Sequence, residues 1–540
     1  MREHLPFRFP LALALACLGA PQRPAHAADW NQWGGGQYRN LASRETGVPA
    51  RFFPGKKTRD RLGFDPATTK NVRWVVRLGS ENYSGPVVAD GRVYVGTNDE
   101  DIDDSRFRPT RGGVLMCLDE KSGQLAWRLV VPRLEIDRSL VSEDFDDMNL
   151  GICSTPTVDG SRVYLVTNRA EVVCLDVSGM TNGNDGPFRE EASFSVPAGA
   201  APVEPGLRDA DIIWRFDMIR SLPIFPHDAS HCSILVVGEH IYVVTGNGVY
   251  DGKVVLPTAP SLIVLDKRTG RLLARDEGRI SADVFHGQWS SPTLAGSGPA
   301  TRLVFGGGDG LCHAFVPLAA GTQPAKQPAT LVEEWRFDCN PSGYRERNGE
   351  RIDYWALVRG GPRTLDDDGM LVSPSEIIAS PVVVGDRIYV GIGQDPVHGP
   401  GRGALSCMAL GGTGDVTATH CVWQYRGIGR SLSTVAVVDG LVYAAEYAGK
   451  LHCLDADTGE LRWFHDTREE IWSSPCVVDG KVFIGTRKAL TVMAAGAEKK
   501  VLGEIRLGTP LWSNPCAANK TLYVASQKNL WAVEEQGEIP

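Results

Sequence analysis

Ser473-Ser474-Pro475-Cys476-Val477-Val478-Asp479-Gly480-Lys481-Val482-Phe483-Ile484 decides the fold. It reads as a short apolar, β-branched run, an Asp-Gly turn and a second apolar run centred on an aromatic residue, which is strand, turn, strand. The same frame returns at Ser513-Asn514-Pro515 with Leu522-Tyr523-Val524, and the two prolines are 40 residues apart. Going backwards, it recurs at Ser433-Thr434-Val435, Ala379-Ser380-Pro381, Ser290-Ser291-Pro292, Cys232-Ser233-Ile234, Ser154-Thr155-Pro156 and Ser84-Gly85-Pro86, eight copies in all. A second hairpin follows the first, as in Leu454-Asp455-Ala456-Asp457-Thr458-Gly459-Glu460-Leu461-Arg462-Trp463, with glycine at the left-handed turn position.

Four strands every 40 residues or so is the period of a propeller blade. The sequence therefore predicts an all-β, eight-bladed propeller of four-stranded antiparallel blades. The last copy ends after its third strand, Leu530-Trp531-Ala532-Val533, whereas Val72-Arg73-Trp74-Val75-Val76-Arg77-Leu78 precedes the first copy and has the outer-strand pattern. Residues 72–78 are thus expected to complete the eighth blade and close the ring, removing an unpaired edge. The expected organisation is a signal peptide over residues 1–27, a lead-in over 28–70 and the propeller over 71–540.

Composition agrees with this reading. Of 540 residues, 42% are hydrophobic and 22% charged, and 60 glycines with 34 prolines favour turns over long helices. The net charge is −9 and no Lys/Arg-rich block occurs, so nucleic acid is not an expected partner. Arg2 and Arg8 precede an apolar stretch over residues 10–20, and Ala25-His26-Ala27 supplies the small residues of a cleavage site, the marks of an export signal. No later stretch has the roughly 20 apolar residues of a membrane span. Leu15-Ala16-Cys17 has the small residue that precedes a lipidated cysteine, but Ala14 stands where a larger aliphatic residue is usual, so ordinary cleavage is expected over a lipid anchor at Cys17. Twelve cysteines, eleven after cleavage, rule out complete disulfide pairing. Cys117, Cys174 and Cys453 share one repeat slot with Val264, Ala314 and Ala532, a small buried position.

The Asp-x-x-Thr/Ser-Gly hairpin ending in Trp, with the Ser-Ser-Pro-Val-Val-x-Asp-Gly-x-Val-Tyr strand pair, resembles the PQQ-like propeller repeat. Quinoprotein dehydrogenases and the BamB-like propeller of bacterial outer-membrane assembly share that repeat. Asp29-Trp30-Asn31-Gln32-Trp33, residues 182–188, His286-Gly287-Gln288-Trp289 and Gly393-Gln394-Asp395-Pro396 resemble exported propeller proteins of the planctomycete type. The resemblance covers the chain from about residue 71 and implies a fold more firmly than an activity.

Two functions follow as expectations. The first is a non-catalytic binding or scaffold protein, exported to the periplasm or cell envelope, whose partner is an envelope protein or a glycan and which needs no cofactor. The alternative is a PQQ-dependent quinoprotein dehydrogenase with PQQ and calcium. The sequence lacks the vicinal cysteines that the resemblance would bring in the larger alcohol dehydrogenases, and it lacks a haem-attachment motif. No catalytic constellation is expected. No metal site is expected either, since Asp176 with Asn182, Asn184 and Asp185 reads as a turn, residues 98–104 as a solvated acidic loop, and His227, His231 and His286 have no metal-ligand spacing. Gly306-Gly307-Gly308-Asp309-Gly310 reads as a strand-to-strand turn.

Strand order puts the connections between second and third strands, and between blades, on one face. The insertions over 98–113, 131–150, 219–231, 247–260, 339–376 and 394–403 fall there; those over 178–211 and 317–333 fall opposite. The residues three before each repeat proline or its equivalent, Tyr83, His231, Trp289, Trp472 and Trp512, are expected to stand around the axis on the decorated face as an aromatic funnel. The loops over 98–113 and 131–150 hold eleven acidic residues against five arginines, which favours a cationic or neutral partner. Trp127, Trp214, Trp335, Trp423 and Trp463 are expected in the seams between blades.

Overall fold

The structure, a computed structural model, describes residues 29–59, 63–354, 360, 361, 364, 365, 369, 371–398 and 401–536. The leader over 1–27 and Cys17 lie outside them. Eight antiparallel sheets succeed one another, the first being Val87–Ala89, Arg92–Asn98, Gly113–Asp119 and Leu125–Val131 from inside out, and the seventh Cys476–Val478, Lys481–Gly485, Leu490–Ala494 and Val501–Ile505. The eighth takes three strands from the C-terminal end and its outer strand, Val72–Arg77, from the N-terminal end, paired antiparallel to Asn529–Val533. Leu78 extends the closure by donating its N–H to the Lys528 carbonyl. Two blades depart from the four-stranded expectation. Ala329–Thr330 and Gly414–Asp415 each lie parallel to an outer strand, Leu272–Arg275 of blade 3 and Glu333–Asp338 of blade 4, covering part of edges that would otherwise stay open.

Each recurring residue type has a physical reason. The aspartate opening the second hairpin accepts backbone and hydroxyl hydrogen bonds from the serine or threonine three residues on, as Asp119 does from Ser122 and Asp455 from Thr458. The hairpin glycine is needed twice over: Gly123 has φ +70°, and a Cβ there would lie 2.7 Å from the Trp74 indole. Trp74, the outer-strand tryptophan of blade 8, fills that space and donates its indole N–H to the carbonyl of Glu120 in blade 1. Trp127, Trp214, Trp423 and Trp463 do the same to Val177, Lys267, Ala456 and Gly496 of the following blade, so these four occupy seams as expected. Trp335 is equally buried, but its indole nitrogen finds no partner. Opposite each tryptophan in the register sits the small slot, Cys117 facing Trp127, Cys174 facing Trp214 and Cys453 facing Trp463. All eleven cysteines of the described residues are free, and ten are buried.

The serine pair before the repeat proline forms a belt around the axis. The first hydroxyl donates to the next blade's backbone, Ser84 to Ser154 O, Ser154 to Cys232 O, Ser290 to Ala379 O and Ser433 to Ser473 O. The second accepts from the preceding blade's N–H, Thr155 from Gly85, Ser291 from Ser233, Ser380 from Ser291, Thr434 from Ser380 and Ser474 from Thr434.

The segment ahead of the closing strand does more than lead in. Residues 30–43 run once around the axis and engage the middle residue of every innermost strand in blade order. Val88 N–H donates to Trp30 O, and Val158 N–H to Asn31 O. Gln37 reaches the Val236 carbonyl through its side chain and accepts from Leu294 N–H at its carbonyl. Tyr38 O accepts from Val383, Asn40 pairs with both backbone groups of Val437, Leu41 O accepts from Val477, and the Ser43 hydroxyl donates to Ala517 O. At the centre the Arg39 side chain is wholly buried, and its five N–H groups find five acceptors: the carbonyls of Trp33, Ser233, Ile234 and Pro292 and the Gln32 amide oxygen, at 2.9–3.3 Å. Burial lowers its pKa to about 10, so it keeps its charge at neutral pH. Gly34, at φ +70°, lets the strap fold back over Arg39, whose backbone would lie 2.5 Å from a Cβ there.

Three outcomes are expected. Trp463→Ala should cost about 3–5 kcal/mol in denaturant unfolding, the usual price of emptying a buried tryptophan site. Arg39→Met should cost at least about 3 kcal/mol by the same measurement, since several buried carbonyls lose their donor, and Arg39→Lys should recover little, because an ammonium has three donors and no planar fork. The third concerns His313 in blade 4, whose ring lies 3.1 Å from Asp309 and 2.5 Å from Glu333. Burial pulls its pKa down, but the two carboxylates outweigh it and hold it up at about 9. The sign follows from the raised value: the contribution, on the order of 3 kcal/mol, is complete below about pH 6.5 and is lost as pH rises through about 9. Melting curves between pH 6 and 10 should fall accordingly, and His313→Gln should flatten that slope.

Candidate functional site

Above the strap the axis opens on the decorated face into a cavity of about 280 Å³. Tyr83, His231, Trp289, Trp472 and Trp512 all line it, with Trp33 of the strap and belt residues such as Ser291 and Ser474 among the rest of its lining. The five come from the entries to blades 1, 3, 4, 7 and 8, and counting back from the repeat proline finds them because each blade enters the axis in the same backbone frame. Two groups form. Tyr83, His231 and Trp289 make successive edge contacts, with ring centroids 6.2 and 5.9 Å apart; across the funnel Trp472 packs against Trp512 at 6.2 Å and against Tyr447 at 5.6 Å. Trp289 is the most fixed, 8% exposed, with its indole N–H donated to the Ala229 carbonyl. Trp33 Nε1 and Asn514 Oδ1, among the lining residues, are a buried donor and a buried acceptor without partners.

One wall carries chemistry that spacing along the chain did not reveal. The connection from blade 2 to blade 3 brings His227 and Asp228, that from blade 3 to blade 4 brings His286, and the insertion within blade 5 brings Asp395 and His398. His227 Nε2 lies 3.2 Å from Asp228 Oδ1, and His286 Nε2 lies 3.5 Å from Asp228 Oδ2 and 3.9 Å from Asp395 Oδ2. The rings of His227 and His398 flank His286 edge-on at 4.4 and 4.6 Å. His398 Nδ1 is hydrogen-bonded to the Tyr354 hydroxyl. Glu376, fully buried behind them, accepts from the Asp395 N–H through one carboxyl oxygen and leaves the other unpartnered. Asp228 and Asp395 reach the cavity lining.

The electrostatics follow from burial. Desolvation, then the neighbouring His286, pulls His227 down to about 4; desolvation alone carries His231 down to about 4, and both rings are neutral at pH 7. For His286 burial works in the same direction, but Asp228, Asp395 and Glu376 overcome it and raise the value. Burial also pushes Glu376 up to about 7 and Asp395 upward.

The other acidic candidates are engaged locally. Asp104 pairs with Arg106 and Arg128, Asp101 with Arg77, and Asp147 with Arg111 and Arg133, so three of the eleven acidic residues of these two loops are paired and the crown keeps an acidic excess. Asn182 donates to Asp185, Asn184 to Glu191, and Asp176 accepts from Ser178, which is turn bonding.

Comparison with known proteins locates the kinship in the plainest blades. Residues 413–513, from the end of blade 5 through blades 6 and 7 to the entry of blade 8, match the family model PQQ_2, described as outer membrane protein assembly factor BamB. No curated protein matches the chain. Among solved structures it is similar to BamB from Moraxella catarrhalis (TM-score 0.49, 14% identity, 87% of this chain and 98% of that one). It is also similar to a europium-containing methanol dehydrogenase (0.47, 11%, 92% and 89%) and to the quinohemoprotein alcohol dehydrogenase from Comamonas testosteroni (0.45, 14%, 95% and 82%). Over residues 413–513 the repeat from which this ring is built matches the PQQ-like propeller repeat.

Proposed function

We propose that the protein is an exported binding or scaffold propeller of the cell envelope, which takes a group of a protein or glycan partner into the aromatic funnel and does not turn it over. The observation that carries this reading is the funnel itself: Tyr83, Trp289, Trp472 and Trp512 stand around one cavity whose base is closed by the protein's own strap. Aromatic faces offer large contact area at low entropic cost, and the serine and threonine residues of the belt that line the cavity add polar groups for orientation. The leader-like residues Arg2, Arg8 and Ala25-His26-Ala27 support export. No helix of the described residues is long and apolar enough to cross a membrane.

The quinoprotein alternative asks the same cavity to hold PQQ beside calcium. Calcium takes six to eight oxygen ligands; the cavity lining offers the carboxylates Asp228 and Asp395 with serine, threonine and Asn514 oxygens, while the imidazoles of His227, His286 and His398 stand behind it. The binding reading is preferred because the chain has neither the vicinal cysteine pair nor the haem-attachment motif that the alternative brings with it.

Pull-down from the native envelope with the wild-type chain and with Trp472→Ala/Trp512→Ala tests the proposal. Both tryptophans are half-buried, so the variant should melt close to wild type while losing the retained partner. An unchanged partner set with the fold intact would move the working surface off the funnel. Retention of quinone absorbance by the wild-type chain after gel filtration with PQQ and calcium would favour the alternative.

A further inference from the structure

We propose that His227, Asp228 and His286 form a site for a divalent transition metal of the zinc class in the wall of the funnel. The inference is independent of the partner reading above. It starts from geometry: one ligand atom from each of the three residues falls within 4.8 Å of the others. The closest approaches, 3.2 Å from His227 Nε2 and 3.5 Å from His286 Nε2 to the two Asp228 oxygens, suit such a centre. Ligand atoms held tetrahedrally at zinc distances stand roughly 3.3–3.5 Å apart.

A second observation is the state of the ring nitrogens. His227 and His286 are 8% and 5% exposed, and their ring nitrogens make no well-aligned hydrogen bond, their polar neighbours being Asp228 at 3.2 and 3.5 Å and, for His227, the Val249 backbone. A cluster that served packing alone would satisfy these groups, because a buried polar atom left unpaired is costly. A metal ion satisfies one nitrogen of each ring at once. It also supplies positive charge among three carboxylates, Asp228, Asp395 and Glu376, that come together in a largely buried wall.

The class of metal follows from the donors. Two imidazoles and one carboxylate are borderline ligands suited to zinc and its neighbours, while calcium and magnesium prefer an all-oxygen shell. Three protein ligands also leave a position open, as in metal sites that exchange a ligand. Asp395 lies 3.9 Å from His286 Nε2 and lines the cavity with Asp228. Because the ligand Asp228 borders the cavity, an anionic or lone-pair donor of an incoming group would reach the remaining position from the funnel. His398, held by Tyr354 and packed edge-on against His286, is a positioning residue for the ligand ring.

The experiment uses the full-length chain without an affinity tag, stripped by chelator dialysis and titrated calorimetrically with Zn²⁺ and, separately, with Ca²⁺, bound metal being counted by mass spectrometry. One zinc per chain, no uptake of calcium, and a higher melting temperature on loading are expected. His227→Gln and His286→Gln should each weaken zinc binding by more than about 100-fold, whereas His398→Gln should stay within the roughly 10–100-fold range of an outer partner. Failure of the wild-type chain to take up zinc overturns the proposal. So does wild-type uptake by a His227→Gln/His286→Gln double variant that melts like the stripped wild type, since that metal would lie elsewhere. If the double variant does not fold, the wild-type stoichiometry and the single variants decide.

Discussion

Eight innermost strands meet around the axis with one edge unpaired, and the rest of the molecule depends on how those edges are satisfied. Unpaired backbone groups in a dry interior are costly, and an open strand edge invites another chain. This protein answers from within. Residues 30–43 visit the middle residue of each innermost strand in turn, and the Arg39 guanidinium fills the remaining space with a donor for every nearby carbonyl. A channel through the ring thereby becomes a blind funnel, and the two faces become inequivalent. Whatever enters the cavity enters and leaves by the decorated face.

The same division of labour decides what the sequence shows. Blades repeat because every seam poses the same problem, and the solutions appear as fixed letters: proline at the inner strand, glycine and aspartate at the hairpin, tryptophan at the outer strand, a small residue opposite it. Those letters made the blade count and the ring closure legible, and they located the five funnel residues by counting. The strap was not legible as such. Its contacts go to eight different blades, one to three each, so residues 30–43 carry no period and no alternation, and polar side chains among them find partners more than a hundred residues away, as Gln37 does in Val236 and Asn40 in Val437. Likewise the short fifth strands on blades 3 and 4 lie in insertions without a strand pattern, and pairing with an existing edge is what makes them strands.

The histidine wall was hidden for a related reason. His227 and Asp228 are adjacent, but His286 is 59 residues beyond His227 and Asp395 a further 109, on different blades. Metal-ligand spacing is a signal only when ligands share one turn or one hairpin. Here the ring brings together connections that enter the axis from neighbouring blades, so proximity comes from closure and not from local sequence. Two signals existed at the sequence level. His286-Gly287-Gln288-Trp289 and Gly393-Gln394-Asp395-Pro396 stood out as non-repeat segments inside a repeating chain, and both supply residues of this wall.

Insertions crowd the decorated face of blades 1 to 5, whereas blades 6 and 7 have minimal turns, and this asymmetry has a structural logic. The hydroxyl belt and the strap fix the inner ends of the blades, so loops grafted on the rim above can lengthen without loosening the ring. Loops long enough to reach one another then bury their own polar groups. Asp104 bridges Arg106 and Arg128 while Arg106 also holds Asp209, and Glu376 supports the backbone of Asp395. A wall built of several loops on a rigid base holds its side chains in place only if the loops are interlocked, and these carboxylate ion pairs and hydrogen bonds are that interlock. The aromatic half of the funnel, Trp472 and Trp512, rests on the plain blades and needs no such support. The cavity thus joins a side fixed by the repeat itself to a side fixed by loop chemistry, and it is on the second side that the buried titratable groups stand.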